Sequence, residues 1–463
     1  MADGTGSGVY DVVILGGGSG GYACALRAAE LGLTVALVEK DKLGGTCLHR
    51  GCIPTKALLH AAEVADTARE SEQFGVQVSL EGVDMGGVNK YKDGVVAKMY
   101  KGLQGLVKSR GITFVEGYGR LVAANAVEVD GVRYEGRHVV LASGSYSRTL
   151  PGLDLDGSRV IASEHALQMD YVPKSAVVLG GGVIGVEFAS VWRSFGAEVT
   201  IVEALPRLLP PEDEDSSKML ERAFRKRGIG FKTGVKFTGV EHTETGVRVS
   251  LESGDTLEAD ILLVAVGRGA NTDGLGYDEQ GITMDRGFVL TDERLRTNVA
   301  GVYAVGDIVP GLQLAHRGFQ QGIFIAEDIA GLNPPVIDEA GIPRITYCEP
   351  EVASVGITEA QAKEQFGDGE VEVVNYNLGG NGKSQILKTQ GFVKLVRQKG
   401  GPVVGVHMVG TRMGEQVGEA QLIVNWEAFP EEVAQLVHAH PTQNEAMGEA
   451  HLALAGKPLH VHG

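Results

Sequence analysis

Four consecutive apolar residues, Val12-Val13-Ile14-Leu15, run straight into Gly16-Gly17-Gly18-Ser19-Gly20-Gly21. An unbroken short apolar run bounded by glycine reads as a strand buried on both faces. The pattern then predicts a helix over Tyr22 to Leu31 and a second strand over Thr34 to Val38, closing on Glu39. The same succession returns later. Ala176-Val177-Val178-Leu179 leads into Gly180-Gly181-Gly182-Val183-Ile184-Gly185, a helix, and a strand over Val199 to Val202 that ends on Glu203. In both copies the acid stands 18 positions after the last glycine. Thr297 to Asp307 reads as a strand entering a Gly306-Asp307 turn. Val371 to Tyr376 and Phe392 to Val396 alternate as strands of an antiparallel sheet do. Ala446 to Ala455 reads as an apolar helix.

One G-x-G-x-x-G match carries little weight, but two in full strand–helix–strand context predict two dinucleotide sites. Gly16 and Gly180 make the tight turn. Gly18 and Gly182 let the backbone approach a pyrophosphate, and Gly21 and Gly185 let the helix pack on its strand. The helix start offers free N–H groups and a positive dipole end to the phosphates. Glu39 and Glu203 can each accept from a ribose 2′-hydroxyl. A carboxylate at Glu203 repels a 2′-phosphate and so favours NAD over NADP; Arg207, four residues on, complicates that reading.

Composition narrows the class. A chain of 463 residues suggests three or four domains. The 67 glycines gather at predicted strand-to-helix turns, so disorder is expected only from Met1 to Gly8. No apolar stretch is long enough to span a bilayer. Neither a signal peptide nor an Arg-rich transit sequence is visible at the start, which points to the cytoplasm, although a mitochondrial protein without its presequence would read alike. A net charge of −17 argues against non-specific nucleic-acid binding and suits a basic protein partner.

Cys47 and Cys52 lie just past the first fingerprint, in Gly44-Gly45-Thr46-Cys47-Leu48-His49-Arg50-Gly51-Cys52-Ile53-Pro54-Thr55-Lys56. On a regular helix they would be about 7.5 Å apart along the axis, too far for easy bridging. A distorted turn at Gly51 and Pro54 would allow it, and strained disulfides are the reducible ones. Spacing alone leaves two ordinary buried thiols as an equal reading, which Cys24 and Cys348 exemplify; the flanking motifs favour redox work. Near the other end, His440 is suited to moving a proton at neutral pH. Glu445 could hold its ring, or could instead close a Thr442-Gln443-Asn444-Glu445 capping box. His438 reads as structural.

From end to end the chain resembles the FAD-dependent pyridine nucleotide–disulfide oxidoreductases. The carriers are the Cys47–Lys56 run, both fingerprints, Gly306-Asp307, Leu314-Ala315-His316 and His438-Ala439-His440-Pro441-Thr442-Gln443-Asn444-Glu445. Among them it is most similar to the members that oxidise protein-bound dihydrolipoyl groups in 2-oxo acid dehydrogenase complexes. Leu48-His49-Arg50 is similar to forms serving branched-chain complexes. The resemblance implies FAD at the first fingerprint and NAD at the second, with Cys52 against the flavin and Cys47 exchanging with substrate. It places Lys56 and Glu187 beside the flavin ring as an ion pair, although Glu187 by itself could be a first-turn acid favoured by the helix dipole. It places Asp307 on the ribityl chain, and Gly144, Ala315 and Gly267 at the cofactors. Ser143, in Leu141-Ala142-Ser143-Gly144-Ser145, departs from a usual threonine but keeps the hydroxyl. Mercuric reductases are less similar, since no cysteine follows Cys348; glutathione reductases use NADPH, which Glu203 disfavours.

The architecture expected is α/β: two Rossmann-like doubly wound nucleotide-binding domains and an α+β dimerisation domain. The segments are 1–150 for FAD, 151–271 for NAD, 272–343 completing the FAD side, and 344–463 as the interface. A homodimer is implied, with His440 reaching the cysteines of the other subunit; Val404 to Val409 and Ala446 to Leu454 offer apolar surface for it, or form core. The implied partner is the lipoylated acyltransferase of a 2-oxo acid dehydrogenase complex. A reductase of another small disulfide, or a mainly scaffolding subunit, are the alternatives.

Overall fold

The computed structural model describes residues 8–460. The disorder expected for Met1 to Gly8 falls, up to Ser7, outside them. Packing divides the chain into two compact units: Met1–Leu58, Asp84–Arg148 and Gly267–Glu339 form one, and Leu59–Val83, Thr149–Val266 and Ala340–Gly463 the other.

In the first unit, strands Thr113–Glu116, Val35–Glu39, Tyr10–Leu15, Val132–Leu141 and Val302–Ala304 lie side by side and parallel. Gly119–Ala123 and Ala126–Val129 add an antiparallel meander to Val132–Leu141. Val12, Val13, Ile14, Val139 and Val140 are wholly buried, which is why their runs contain no polar residue; each such side chain contributes about 1.5–3 kcal/mol of burial. Helix Ala315–Ile329 packs against helix Ser19–Glu30. A methyl group on Gly322 would stand 2.3 Å from the Gly20 carbonyl oxygen, so this crossing needs glycine. Of the strand expected from Thr297 to the Gly306-Asp307 turn, only Val302–Ala304 forms. Upstream of it the chain turns, with Gly301 at φ +80° and the Thr297 amide donating to the Val302 carbonyl at 2.9 Å.

The second unit repeats the parallel arrangement with Ile229–Thr233, Glu198–Glu203, Ser175–Leu179, Ile261–Val264 and Val160–Ile161. Its meander is Phe237–His242, Val247–Leu251 and Thr256–Ala259. A five-stranded antiparallel sheet follows in the order Arg344–Thr346, Glu351–Gly356, Val403–Gly410, Phe392–Gln398 and Val371–Asn377. Helices Met413–Asn425 and Glu445–Leu454 share its core. The expected class therefore holds: two doubly wound α/β sheets and an α+β part.

The chain changes unit after Leu58, Val83, Arg148, Val266 and Glu339. Residues 149–266 and 340–463 belong to one unit, and a buried ion cluster is among the contacts that join them. Lys394 is 2% exposed and its Nζ meets Asp213 at 2.8 Å, Asp215 at 2.6 Å and Glu359 at 2.7 Å. Such a buried cation is tolerable only when carboxylates surround it. The apolar surface expected over Val404 to Val409 and Ala446 to Leu454 is core: Val406, Met408, Val409, Ala446, Met447 and Ala450 have no exposure.

Candidate functional site

The expected site residues fall into two sets, one in each unit. The first set gathers around the first fingerprint. Gly16 has φ +114°, and a methyl group there would stand 2.2 Å from the Ala142 carbonyl oxygen; on Gly21 it would stand 1.8 Å from the Gly16 oxygen. Those two glycines are required by the protein itself. Gly18 differs, since the nearest atom to a methyl there is 4.0 Å away, so its open side is left for a ligand. Helix Ser19–Glu30 has no side-chain cap and no acid in its first turn, leaving its amides free for an anion. Glu39 closes the loop: its Oε2 accepts from the Gly17 amide at 2.7 Å and its Oε1 from the Asp41 amide at 2.9 Å. A carboxylate has about four lone-pair positions, so capacity for a ribose hydroxyl remains. Burial pushes the Glu39 carboxyl above its ordinary range, against the Gly17 amide that lowers it.

Cys47 and Cys52 sit on two helices, Gly45–Arg50 and Cys52–Glu70, broken at Gly51. A regular helix would have kept the sulfurs apart; the break brings them into hydrogen-bonding reach as two thiols. The bond to Cys52, together with burial, raises the Cys47 thiol. Tyr22 lies in the field of both, its hydroxyl pushed up to about 12 by burial and then by the two sulfurs. Lys56 is one turn beyond Cys52 on the same helix. In the Leu48-His49-Arg50 run, His49 Nε2 lies 2.8 Å from the Leu43 carbonyl and its ring meets Tyr100 edge-on at 5.0 Å. Cys24 is wholly buried, its thiol pushed up to about 12.

Asp307 lies in a single 3₁₀ turn, Gly306–Ile308. Its Oδ2 accepts from the Ser145 hydroxyl, and that hydroxyl accepts from Arg268 Nε at 2.7 Å. Neither Ser145 nor Arg268 was expected; the signal was their place directly after Gly144 and Gly267, both with positive φ and open space where a side chain would be. Ser143 meets the Tyr277 hydroxyl at 2.9 Å. Ala315 opens helix Ala315–Ile329, whose Gln321 accepts from the Gly306 amide at 2.9 Å and so ties that helix to the Asp307 turn.

The second set repeats the geometry. Gly180 has φ +112°, with the Ala265 oxygen 2.3 Å from a methyl group; Gly185 would meet the Gly180 oxygen at 2.0 Å; nothing lies within 4 Å of Gly182. Helix Val183–Phe195 again lacks a side-chain cap and a first-turn acid. Glu203 accepts from the Gly181 amide at 2.6 Å and the Leu205 amide at 2.7 Å. Arg207 donates to the Pro210 and Glu212 carbonyls at 2.8 and 3.1 Å, so its guanidinium is engaged by its own loop. Glu187 lies in the second turn of its helix, not the first, which removes the helix-dipole explanation. It is 2% exposed and accepts from the Tyr347 amide at 3.0 Å.

His440 and Glu445 are together. His440 Nδ1 lies 2.8 Å from Glu445 Oε1. The other oxygen accepts from the Thr442 amide at 2.8 Å, while the Glu445 amide donates to the Thr442 hydroxyl at 3.3 Å. The two readings of Glu445 are thus compatible, one oxygen serving each. Against the burial that would raise it, the Thr442 amide and His440 hold the Glu445 carboxyl low. His440 is 78% exposed, and its Nδ1 is the ring nitrogen held by Glu445.

A model of the pyridine nucleotide-disulphide oxidoreductase family matches residues 10–322, and the model of that family's dimerisation domain matches residues 342–451. A dihydrolipoyl dehydrogenase of Bacillus subtilis (strain 168) is 42% identical over 471 residues, spanning 97% of this chain and 99% of that protein. The mitochondrial dihydrolipoyl dehydrogenase of Pisum sativum is 38% identical, spanning 99% and 94%. Among solved structures, LpdA from Mycobacterium tuberculosis is similar with a TM-score of 0.89 and 26% identity, covering 96% of this chain and 99% of that one.

Proposed function

The chain belongs to the pyridine nucleotide–disulphide oxidoreductase family, and from that premise we propose that it oxidises dihydrolipoamide to lipoamide with NAD as final acceptor. The observation that carries this reading is the Cys47/Cys52 pair on its broken helix beside the first fingerprint. The open faces of Gly18 and Gly182, two uncapped helix starts and the acids Glu39 and Glu203 fit FAD and NAD respectively. FAD, when bound, supplies the two-electron relay between the dithiol and NAD.

The protein's own part begins from a Cys47–Cys52 disulfide. His440 takes the proton from one substrate thiol, and that sulfur attacks Cys47 Sγ. The Cys47–Cys52 bond breaks, leaving Cys52 as a thiolate and the substrate bonded to Cys47. The second substrate thiol then closes on the first sulfur, releasing lipoamide and returning a thiol at Cys47. Two electrons have passed to the cysteine pair. Glu445 holds the imidazole by Nδ1. By the family resemblance, Lys56 and Glu187 would each flank the flavin ring and tune its electronics. Asp307 would hold the ribityl chain, and Gly144, Ala315 and Gly267 would line the cofactors.

The segments 1–150 and 272–343 serve FAD, 151–271 serves NAD, and 344–463 pairs two subunits, with His440 acting on the partner's cysteine pair. Trp426 and Val437, 75% and 99% exposed in the dimerisation segment, support that pairing. The buried thiols of Cys24 and Cys348 support a cytoplasmic home. The partner is the lipoylated acyltransferase of a 2-oxo acid dehydrogenase complex; an acidic chain suits a basic docking module. Turnover with NADH and lipoamide, set against glutathione disulfide, tests the substrate. Co-refolding Cys47→Ser with His440→Ala chains tests the shared site: mixed dimers hold one intact site and recover activity, whereas inactive mixed dimers refute it.

A further inference from the structure

The turn that carries His440 is held at both ends by one carboxylate outside it. Glu419 lies in helix Met413–Asn425. Its Oε1 is 2.8 Å from His438 Nε2, and its Oε2 accepts from Asn444 Nδ2. His438 precedes His440 by two residues, and Asn444 directly precedes Glu445. One side chain therefore closes a ring around the segment 438–444. The His438 and Glu419 side chains are 11% and 24% exposed, so this pair is screened far less than one in open water. Hydrogen bonding to Glu419 raises the His438 imidazole above its ordinary value, which favours the charged pair. The ring is clamped from its other side too. A methyl group on Gly448 would lie 2.5 Å from His438 Nδ1, so helix Glu445–Leu454 approaches at a distance only glycine allows.

We propose that Glu419 is a positioning residue for His440: through His438 and Asn444 it fixes both ends of the turn that presents the imidazole. The proposal rests on the reading of His440 as the proton carrier. His440 itself is exposed and, among the described residues, anchored by its ring to Glu445 alone, so its aim depends on where the backbone of its turn is held. Charge-assisted bonds at both ends of a short turn are the strong kind.

The test uses flavin-loaded Glu419→Leu, Glu419→Gln and Glu419→Gln/Asn444→Asp. Dihydrolipoamide turnover by Glu419→Leu should fall about 10- to 100-fold, the scale of a misplaced reacting group. NADH oxidation by ferricyanide, which needs no thiol chemistry, should be unchanged. A glutamine can satisfy only one of the two donors, so Glu419→Gln should also fall. In the double variant the glutamine oxygen accepts from His438 and its amide donates to the new carboxylate at 444, so turnover should recover. Parallel loss of both activities, wild-type dithiol turnover in Glu419→Leu, or no recovery in the double variant would each overturn the proposal. His440→Gln separates the two readings. If it keeps dithiol turnover, the proton-carrier reading fails; if it loses turnover while the Glu419 variants do not, only the Glu419 proposal fails.

Discussion

Glu39 and Glu203 end equivalent strands and fold equivalent loops, but the chain beyond them diverges. Each takes one fingerprint amide on Oε2 and the amide two residues on with Oε1. Each loop then returns to the middle of its fingerprint, through Gly44 N–H to the Gly17 carbonyl and Leu209 N–H to the Gly181 carbonyl, at 2.9 and 2.8 Å. A leucine caps the second glycine in both, Leu43 or Leu208. At the return residue φ is positive in both, +101° at Gly44 and +47° at Leu209. In the first unit glycines follow: a methyl on Gly45 would stand 2.7 Å from Gly18 Cα, so the backbone meets the fingerprint and a new helix starts there, carrying Cys47. In the second unit the return residue is Leu209, 1% exposed, and no helix begins until Glu214. One scaffold serves twice; the residues at the loop's return decide whether it also carries thiols.

The largest effect should come from removing what the first unit has alone. Cys47→Ser or Cys52→Ser should lower dihydrolipoamide turnover by about three orders of magnitude or more, with NADH–ferricyanide activity retained. Steady-state assays on both reactions check it. If either variant kept dithiol turnover, the divergence at Gly44-Gly45 would have no chemical meaning.

Next in size is a contrast within each fingerprint. Gly21→Ala or Gly185→Ala drives a methyl into a backbone oxygen that cannot rotate away, costing about 3 kcal/mol or more, and soluble yield and melting temperature should drop. Gly18→Ala and Gly182→Ala meet open space, so folding should survive. Gly18→Ala should purify with less flavin. Gly182→Ala should keep its flavin and show a raised KM for NADH. Equal flavin loss in both would erase the distinction between the two sites.

How much of this was legible beforehand depends on how local the cause is. The paired apolar runs, the six fingerprint glycines and the two acids are short-range features whose spacing states their geometry, and they fell where expected. Val302–Ala304 was harder to bound, because its pairing with Val139–Leu141 is set by a partner some 160 positions away and its own approach is a turn. Ser145, Arg268 and Gln321 hold the Asp307 turn through side chains from three separate segments, which no periodicity announces. Val404 to Val409 has a pattern that suits an interface or a core equally. Helices Met413–Asn425 and Glu445–Leu454 decide for core.

A smaller effect concerns nucleotide choice. Glu203→Arg should narrow the preference for NAD over NADP by about 100-fold, the scale of a like-charge contact of a few kcal/mol. Arg207→Met should leave the preference in place, because that guanidinium is engaged by the Pro210 and Glu212 carbonyls. Ratios of kcat/KM for the two cofactors test both variants. A collapse of preference in Arg207→Met would mean that the loop, not Glu203, does the choosing.

The smallest effect is a pH dependence at Glu39. Burial raises its carboxyl in the folded chain above the ordinary value of 4.5. The folded state therefore holds this proton more tightly than the unfolded state does. Its contribution to stability is fully present below the unfolded value and is lost as pH rises through the folded one. In Glu39→Gln that titration is gone, while every other group titrates in both proteins and cancels in the difference. Flavin-free wild type should therefore gain melting temperature over flavin-free Glu39→Gln as the pH falls from neutral toward 4.5, by an amount that grows through the window and then levels off. A difference that shrinks on acidification would mean that the Gly17 amide, not burial, governs this carboxylate.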